Sequence, residues 1–150
     1  MKKIILALTF LTLAVSTSVF ASDEDDVKDV ITKMDAALNT NNFDEFLDLF
    51  VDDAVEMPDS EPALVGIEAV RIRDGNFFAN YTDNISQNVE DLIIDGDLAV
   101  LRLSYHEEVT PKSGGPTVVY VGKGIVVLER QSDGQWKVSM NIWNLDQPLE

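Results

Sequence analysis

The sequence predicts an α+β domain in which three amphipathic helices pack on one face of a curved antiparallel sheet. Three observations carry that prediction. Apolar residues recur at helical spacing in three segments between Val27 and about Tyr81. The hydrophobic period changes to two after Asp83, and the strand-like half is punctuated by Asp95-Gly96-Asp97, the Gly-Gly of Pro111 to Pro116, and Ser132-Asp133-Gly134. Helices gathered ahead of a run of strands define a layered α+β arrangement rather than alternating βαβ units.

The N-terminus precedes this domain. Lys2 and Lys3 form a basic start, Ile4 to Val15 is apolar apart from Thr9 and Thr12, and Val19-Phe20-Ala21 forms a cleavage site before Ser22. The apolar run falls short of the about 20 residues of a membrane span. Residues 1–21 are therefore expected to be a signal peptide, and residues 22–150 a periplasmic or secreted domain. The chain has no cysteine, which excludes a lipoprotein-type anchor, a disulfide and a thiolate metal site. Net charge is −16, and loss of the two leader lysines makes it −18. Such an acidic chain lacks the clustered cations that nucleic acid or an anionic membrane requires. The charge is expected to keep an exported protein soluble, with no stable membrane association after cleavage.

Asp23 to Asp26 place four acids at the start of the first helix, where they complement its dipole. Val27, Val30, Ile31, Met34, Ala37 and Leu38 form its apolar stripe, and Asn39 to Asn42 end it. Asn42 and Glu45 have the spacing of a capping box for a second helix, which carries Phe43, Phe46, Leu47 and Phe50. Asp52-Asp53 is expected to break that helix. Two short extended pieces, Ala54 to Met57 and Ala63 to Val65, then flank a turn at Pro58 to Pro62. Gly66 opens a third helix carrying Ile67, Val70, Asp74, Phe77, Phe78 and Tyr81.

Four strands are expected at about Ile85–Ile94, Leu98–Val109, Thr117–Arg130 and Gln135–Leu145. They exceed the usual five or six residues, and long strands twist and curl. Alternation turns Ala99, Leu101, Leu103 and Tyr105 towards the helices, and Arg102, Ser104 and His106 away. In the last strand, Trp136, Val138, Met140 and Ile142 should point inward with Asn144 at the end, and Trp143 outward. The third strand is apolar on both faces, with Val119, Val121, Ile125 and Val127 outside. A covered convex face, most simply in a homodimer, is the expected consequence.

Several strings, in this order, resemble the nuclear-transport-factor-2-like (NTF2-like) superfamily, and within it the SnoaL-like and DUF4440 group, with steroid delta-isomerases as cousins. They are Asp35-Ala36-Ala37-Leu38-Asn39, Asn42-Phe43-Asp44, Leu49 to Ala54, Gly66 to Arg71, Gly122-Lys123-Gly124, Trp136-Lys137-Val138 and Ile142-Trp143-Asn144. The resemblance covers about Asp25 to Pro148. It implies a cone with a pocket between three helices and a curved sheet, often in a homodimer. It does not imply one activity. The steroid isomerases use a tyrosine and two aspartates for enolisation. The corresponding positions fall here at Met34, at Met57 or Pro58, and near Gly124, so that chemistry is not expected.

Glu56 is the acid nearest the missing base. With Val55 and Met57 inward it is a solvated residue, which is the favoured reading; turned inward it becomes a base with a raised pKa. His106, the single histidine, is expected outside beside Glu107 and Glu108. No metal site is expected, because one histidine with scattered carboxylates is a poor ligand set. No cofactor is expected either. Met34, Met57, Tyr105, Tyr120, Met140 and Asn144 are the candidate pocket residues, with Glu56 and Tyr105 as weak catalytic candidates. The leading reading is a binder of a small, mostly apolar molecule. The alternatives are a lyase or isomerase with non-standard residues, and an association module with a filled cavity.

Overall fold

A computed structural model describes residues 23–146. The expected signal peptide, its cleavage site and Pro148 lie outside the described residues. The apolar stripe of the first helix, α1 (Asp23–Asn39), is buried at Val27, Val30, Ile31, Met34 and Ala37. Its start is fastened by Arg130, which bonds Asp23 at 2.7 Å and Asp97 at 3.2 Å, with its guanidinium 4.4 Å above the Trp136 ring. At its other end, Asn39 accepts from the Ile85 amide at 2.6 Å and donates to the Ile85 carbonyl at 2.9 Å.

The second helix, α2 (Phe43–Leu47), is capped as expected, Asn42 accepting from the Glu45 amide at 3.4 Å. It ends earlier than the sequence suggests. Phe50 is the first residue of strand β1 (Phe50–Met57), and Asp52 and Asp53 are exposed within that strand instead of breaking a helix. The physical reason is a tertiary pairing. The Leu49 carbonyl accepts from the Val138 amide at 2.8 Å, and β1 continues parallel to the last strand. Long-range pairing of this kind has no local sequence signal.

The turn at Pro58 to Pro62 leads into β2 (Leu64–Val65), which pairs antiparallel with β1. Helix α3 (Ile67–Asn80) follows, burying Val70, Asp74 and Phe78. Gly75 does not interrupt it; an added methyl there would meet the Phe43 ring at 3.4 Å. Tyr81, expected on the helix, opens β3 (Tyr81–Asp95). The remaining strands are β4 (Leu98–Pro111), β5 (Val118–Arg130) and β6 (Trp136–Leu145), and the sheet order is β2-β1-β6-β5-β4-β3.

Two irregularities re-aim side chains. In β3 the partner register shifts between Val89 and Asp91, leaving Glu90 as an extra residue. In β6, Val138 pairs with Leu128 and Met140 with Val127, leaving Ser139 as the extra residue. Such a bulge reverses the face of everything beyond it. Trp136 and Val138 are buried as expected, but Met140 and Ile142 are exposed and Asn141, Trp143 and Leu145 turn towards the helices. Trp143 therefore belongs to the inner wall, contrary to its expected outward position.

Leu101, Leu128, Val27, Val126 and Val138 fill one end of the cone with fully buried side chains. Phe46 and Phe78 continue this core with rings 5.3 Å apart. Beyond them the long ends of β3, β4 and β5 enclose a cavity.

Candidate functional site

The cavity has a volume of about 440 Å³, within the range of small-molecule sites. Its apolar wall includes Met34, Phe46, Phe77, Leu103 and Trp143. Its polar groups come from the end of β1 and the turn after it, the inner face of α3, the far half of β4, and Gln87 and Asn141 of β3 and β6.

Glu56 is 1 % exposed. Phe50, Ala54 and Glu56 are all buried, so the strand places Glu56 inside rather than in solvent, which corrects the expectation. The Asn141 side chain, turned inward by the β6 bulge, donates to Glu56 Oε1 at 3.3 Å. Glu56 Oε2 has no such partner, and neither does Oδ2 of Asp74, a residue 3 % exposed on the buried stripe of α3. The two carboxyls adjoin, and a proton held by one supplies a hydrogen bond to the other. Burial, then the charge of Asp74, pushes the Glu56 pKa up from 4.5 to about 9. Asp74 accepts from Arg73 Nη1 at 2.8 Å, and Arg73 also reaches Glu61 at 3.3 Å. The Arg73 guanidinium lies 5.6 Å above the Trp143 ring. At neutral pH this arrangement is a protonated Glu56 beside an Asp74 paired with Arg73.

A second pair lies on the sheet. Glu107 continues the inward alternation of Leu101, Leu103 and Tyr105 along β4 and lines the cavity. Burial and the charge of neighbouring Asp83 push its pKa up to about 8. Burial likewise pushes Asp83 up to about 6. The Asn84 amide and the Glu107 carboxyl both reach Asp83, and each hydrogen bond offsets part of the rise that burial causes. Behind the pair, Asp35 of α1 accepts from the Gln87 amide at 3.0 Å and from the Gln87 side chain at 2.8 Å.

Tyr105 supplies a hydroxyl beside these acids. Burial, then the charges of Glu107, Asp59 and Asp146, pushes its pKa up to about 12, so it remains a neutral donor. Its ring fits only because Gly122 faces it across the β4–β5 pair; a side chain there would collide with the Tyr105 hydroxyl and with the Asn144 carbonyl. Gly124 similarly keeps the wall open, since its Cβ would lie 2.7 Å from the Ile142 carbonyl.

Of the candidate pocket residues, Met34, Tyr105 and Tyr120 line the cavity, as does the weak catalytic candidate Glu56. Met57, Met140 and Asn144 do not. The β6 bulge turns Met140 outward and leaves Asn144 exposed, donating to the Leu145 carbonyl at 3.1 Å. Met57 alternates with the inward Glu56 and so faces away from the cavity. His106 is exposed, as its strand position predicts. Asp74, Asp83, Glu107, Asn141 and Arg73 were not anticipated as site residues. The available signals were an acid on the apolar stripe of α3 and the inward parity of Glu107. Among the described residues, no group of three or more His, Cys, Asp or Glu could hold a metal ion, and no helix is long and apolar enough to cross a membrane.

A cone of helices on a curved sheet, with acids at the wall of its cavity, defines the class. Residues 31–138 match the SnoaL-like domain model, and the chain belongs to that family, within the NTF2-like superfamily. No curated protein sequence matches the chain. Among solved structures it is similar to a ketosteroid isomerase-like protein from Erwinia carotovora atroseptica SCRI1043, with a TM-score of 0.77 and 17% identity over 86% of this chain and 100% of that one. It is also similar to a putative dehydratase from the NTF2-like family of Streptomyces avermitilis (TM-score 0.73, 19% identity, 85% and 98% covered). A hexachlorocyclohexane dehydrochlorinase, LinA type 2, has a TM-score of 0.71 and 15% identity over 85% and 88% of the two chains. At these identities the likeness shows the fold.

Proposed function

We propose that the protein binds a small, mostly apolar molecule in the cone and exchanges a proton with it, as an isomerase or lyase does. One observation carries this reading: Glu56, buried and paired with Asp74, lies at the wall of an apolar cavity of about 440 Å³. A carboxyl that stays protonated at neutral pH in an apolar site is a hydrogen-bond donor and general acid. Tyr105 adds a second neutral donor, and Asp83, raised only to about 6, is ionised at neutral pH and able to take a proton up. Several similar structures bear the names of an isomerase-like protein, a dehydratase and a dehydrochlorinase, all compatible with acid–base chemistry.

The test uses 2-acetonaphthone, an apolar ring system with a carbonyl and exchangeable protons beside it. Deuterium uptake at those protons, followed by NMR, is expected to be faster with the wild type than with Glu56→Leu by about 10²-fold, the usual contribution of a positioned acid or base. Binding seen through Trp143 fluorescence should disappear when Leu103→Trp fills the cavity. Uptake at the buffer rate with both proteins overturns the catalytic part. Binding that survives Leu103→Trp overturns the cavity as its place.

We also propose a homodimer through the convex face. Val119, Val121 and Ile125 of β5 lie beside Met140 and Ile142 of β6, all partly exposed. Contiguous exposed apolar surface of this kind marks an association site. Light scattering is expected to give twice the mass of one chain, and Ile125→Glu to give the mass of one. A monomeric wild type contradicts the proposal.

A further inference from the structure

The acids around the cavity outnumber its cations. Glu56, Asp59, Glu61, Asp74 and Glu107 line it, and Arg73 is the only cation among the lining residues. That guanidinium is already committed to Asp74 and Glu61. Other nearby cations point elsewhere: Lys112 donates to the Phe78 carbonyl and Asn41, and Lys123 pairs with Asp146. Glu56 and Asp74 are more than nine-tenths buried and line the cavity, and each has one oxygen that no N–H or hydroxyl reaches, leaving only the other carboxyl as its partner. Buried carboxyls left in this state are costly unless a partner arrives or a proton is held.

The wall between these acids is aromatic. Phe77 and Tyr81 stack with centroids 5.5 Å apart, Tyr105 and Tyr120 face the cavity, and Trp143 already carries the Arg73 cation over its ring. Ring faces and carboxylates share one preferred guest, a positive charge. An anionic ligand would be repelled by the same groups. A purely apolar neutral ligand adds no partner to either carboxyl. A metal ion needs several converging ligands, and no such group exists among the described residues.

We infer that the preferred ligand class of this cavity is a lipophilic amine, bound as its ammonium ion with the charge against Glu56 and Glu107 and the apolar body against the aromatic wall. This rests on the cavity-binding reading above and narrows it. A neutral ligand meets Glu56 as a proton donor, whereas an ammonium ion meets it as a carboxylate. Binding is therefore linked to proton release.

The groups that set this linkage come from every surrounding element. Glu56 faces Asp74 and Arg73 of α3 and neutral Asn141 of β6, with Asp59 and Glu61 on the adjoining turn. Glu107 faces Asp83 of β3 and Arg73 of α3, with Asp35 of α1 beyond Asp83 and Tyr105 on its own strand. With Glu56 and Glu107 raised to about 9 and about 8, both hold their protons at neutral pH. An added cation favours the ionised form of each, so a proton leaves as the ammonium enters.

The experiment compares 2-(2-naphthyl)ethylamine with 2-(2-naphthyl)ethanol, which have the same ring and chain and differ in charge. Isothermal titration calorimetry at about pH 7.5, in buffers of different ionisation enthalpy, reads affinity and proton release together. The amine is expected to bind about ten-fold more tightly or better and to release roughly one proton, while the alcohol releases none. The double variant Glu56→Gln with Glu107→Gln should lose both the preference and the release, so that the ratio of the two affinities falls to about one. Equal affinity of the two wild-type ligands, or amine binding without proton release, overturns the amine assignment and leaves the cavity-binding reading intact. Failure of both ligands to bind overturns both.

Discussion

Replacing Glu56 by glutamine is expected to stabilise the protein at about pH 8, by on the order of a few kcal/mol, and to flatten its stability between mildly acidic and alkaline pH. The sign follows from the direction of the shift. In the unfolded chain Glu56 loses its proton near its ordinary value of 4.5, whereas in the fold it holds the proton up to about 9. Between those values the folded state binds more protons, so stability falls as pH rises, by up to about 1.4 kcal/mol per pH unit for one such group. The stabilisation is complete below 4.5 and lost as pH passes through about 9. Glu107 and Asp83, also raised, act in the same direction over narrower windows ending at about 8 and about 6. Glutamine keeps the shape, removes the ionisation and can donate to the free oxygen of Asp74. Urea denaturation over this pH range checks the prediction. A destabilised Glu56→Gln with the wild-type pH slope contradicts it.

The second large effect lies in the wall opposite. Gly122→Ala is expected to cost about 2–3 kcal/mol, as overpacking at a rigid site does. The added methyl group would collide with the Tyr105 ring and hydroxyl on one side and with the Asn144 carbonyl on the other. The ring can move only at the expense of the cavity; the carbonyl belongs to β6, which pairs with β5 at Gly122 and Leu145. Tyr105→Leu in the same chain should recover part of the loss, because it removes only the first collision. Denaturation of the single and double variants reads this directly. A Gly122→Ala variant as stable as the wild type contradicts the described packing of Tyr105.

The architecture was largely legible because period and turn chemistry are local. The helical stripe of α1, the Asn42 cap, the hairpin turns and the inward set of β4 all lie where the sequence places them. The site was less legible because parity depends on pairing. Reading Phe50 as helical discarded the strand phase that takes Phe50, Ala54 and Glu56 inward, and so left Glu56 in solvent. The parallel pairing of β1 with β6 that starts this strand at Phe50 is long-range. The bulge at Ser139 has no strong residue signature, yet it exchanges Met140 and Asn144 for Asn141 and Trp143 at the cavity. Two signals were present and unused. Asp74 stood alone among apolar residues on the α3 stripe, where an acid needs a partner, and Glu107 shared the parity of Tyr105.

These corrections converge on one feature, a carboxyl that keeps its proton because the fold buries it beside another carboxyl, against the smaller opposing effect of the Asn141 amide. Glu56 side-chain carboxyl chemical shifts, followed by carbon-13 NMR across pH in the unliganded protein, test it most directly. The structure predicts a protonated Glu56 at neutral pH with a midpoint at about 9. A midpoint near the ordinary 4.5 would contradict both the buried pair and the acid–base role built upon it.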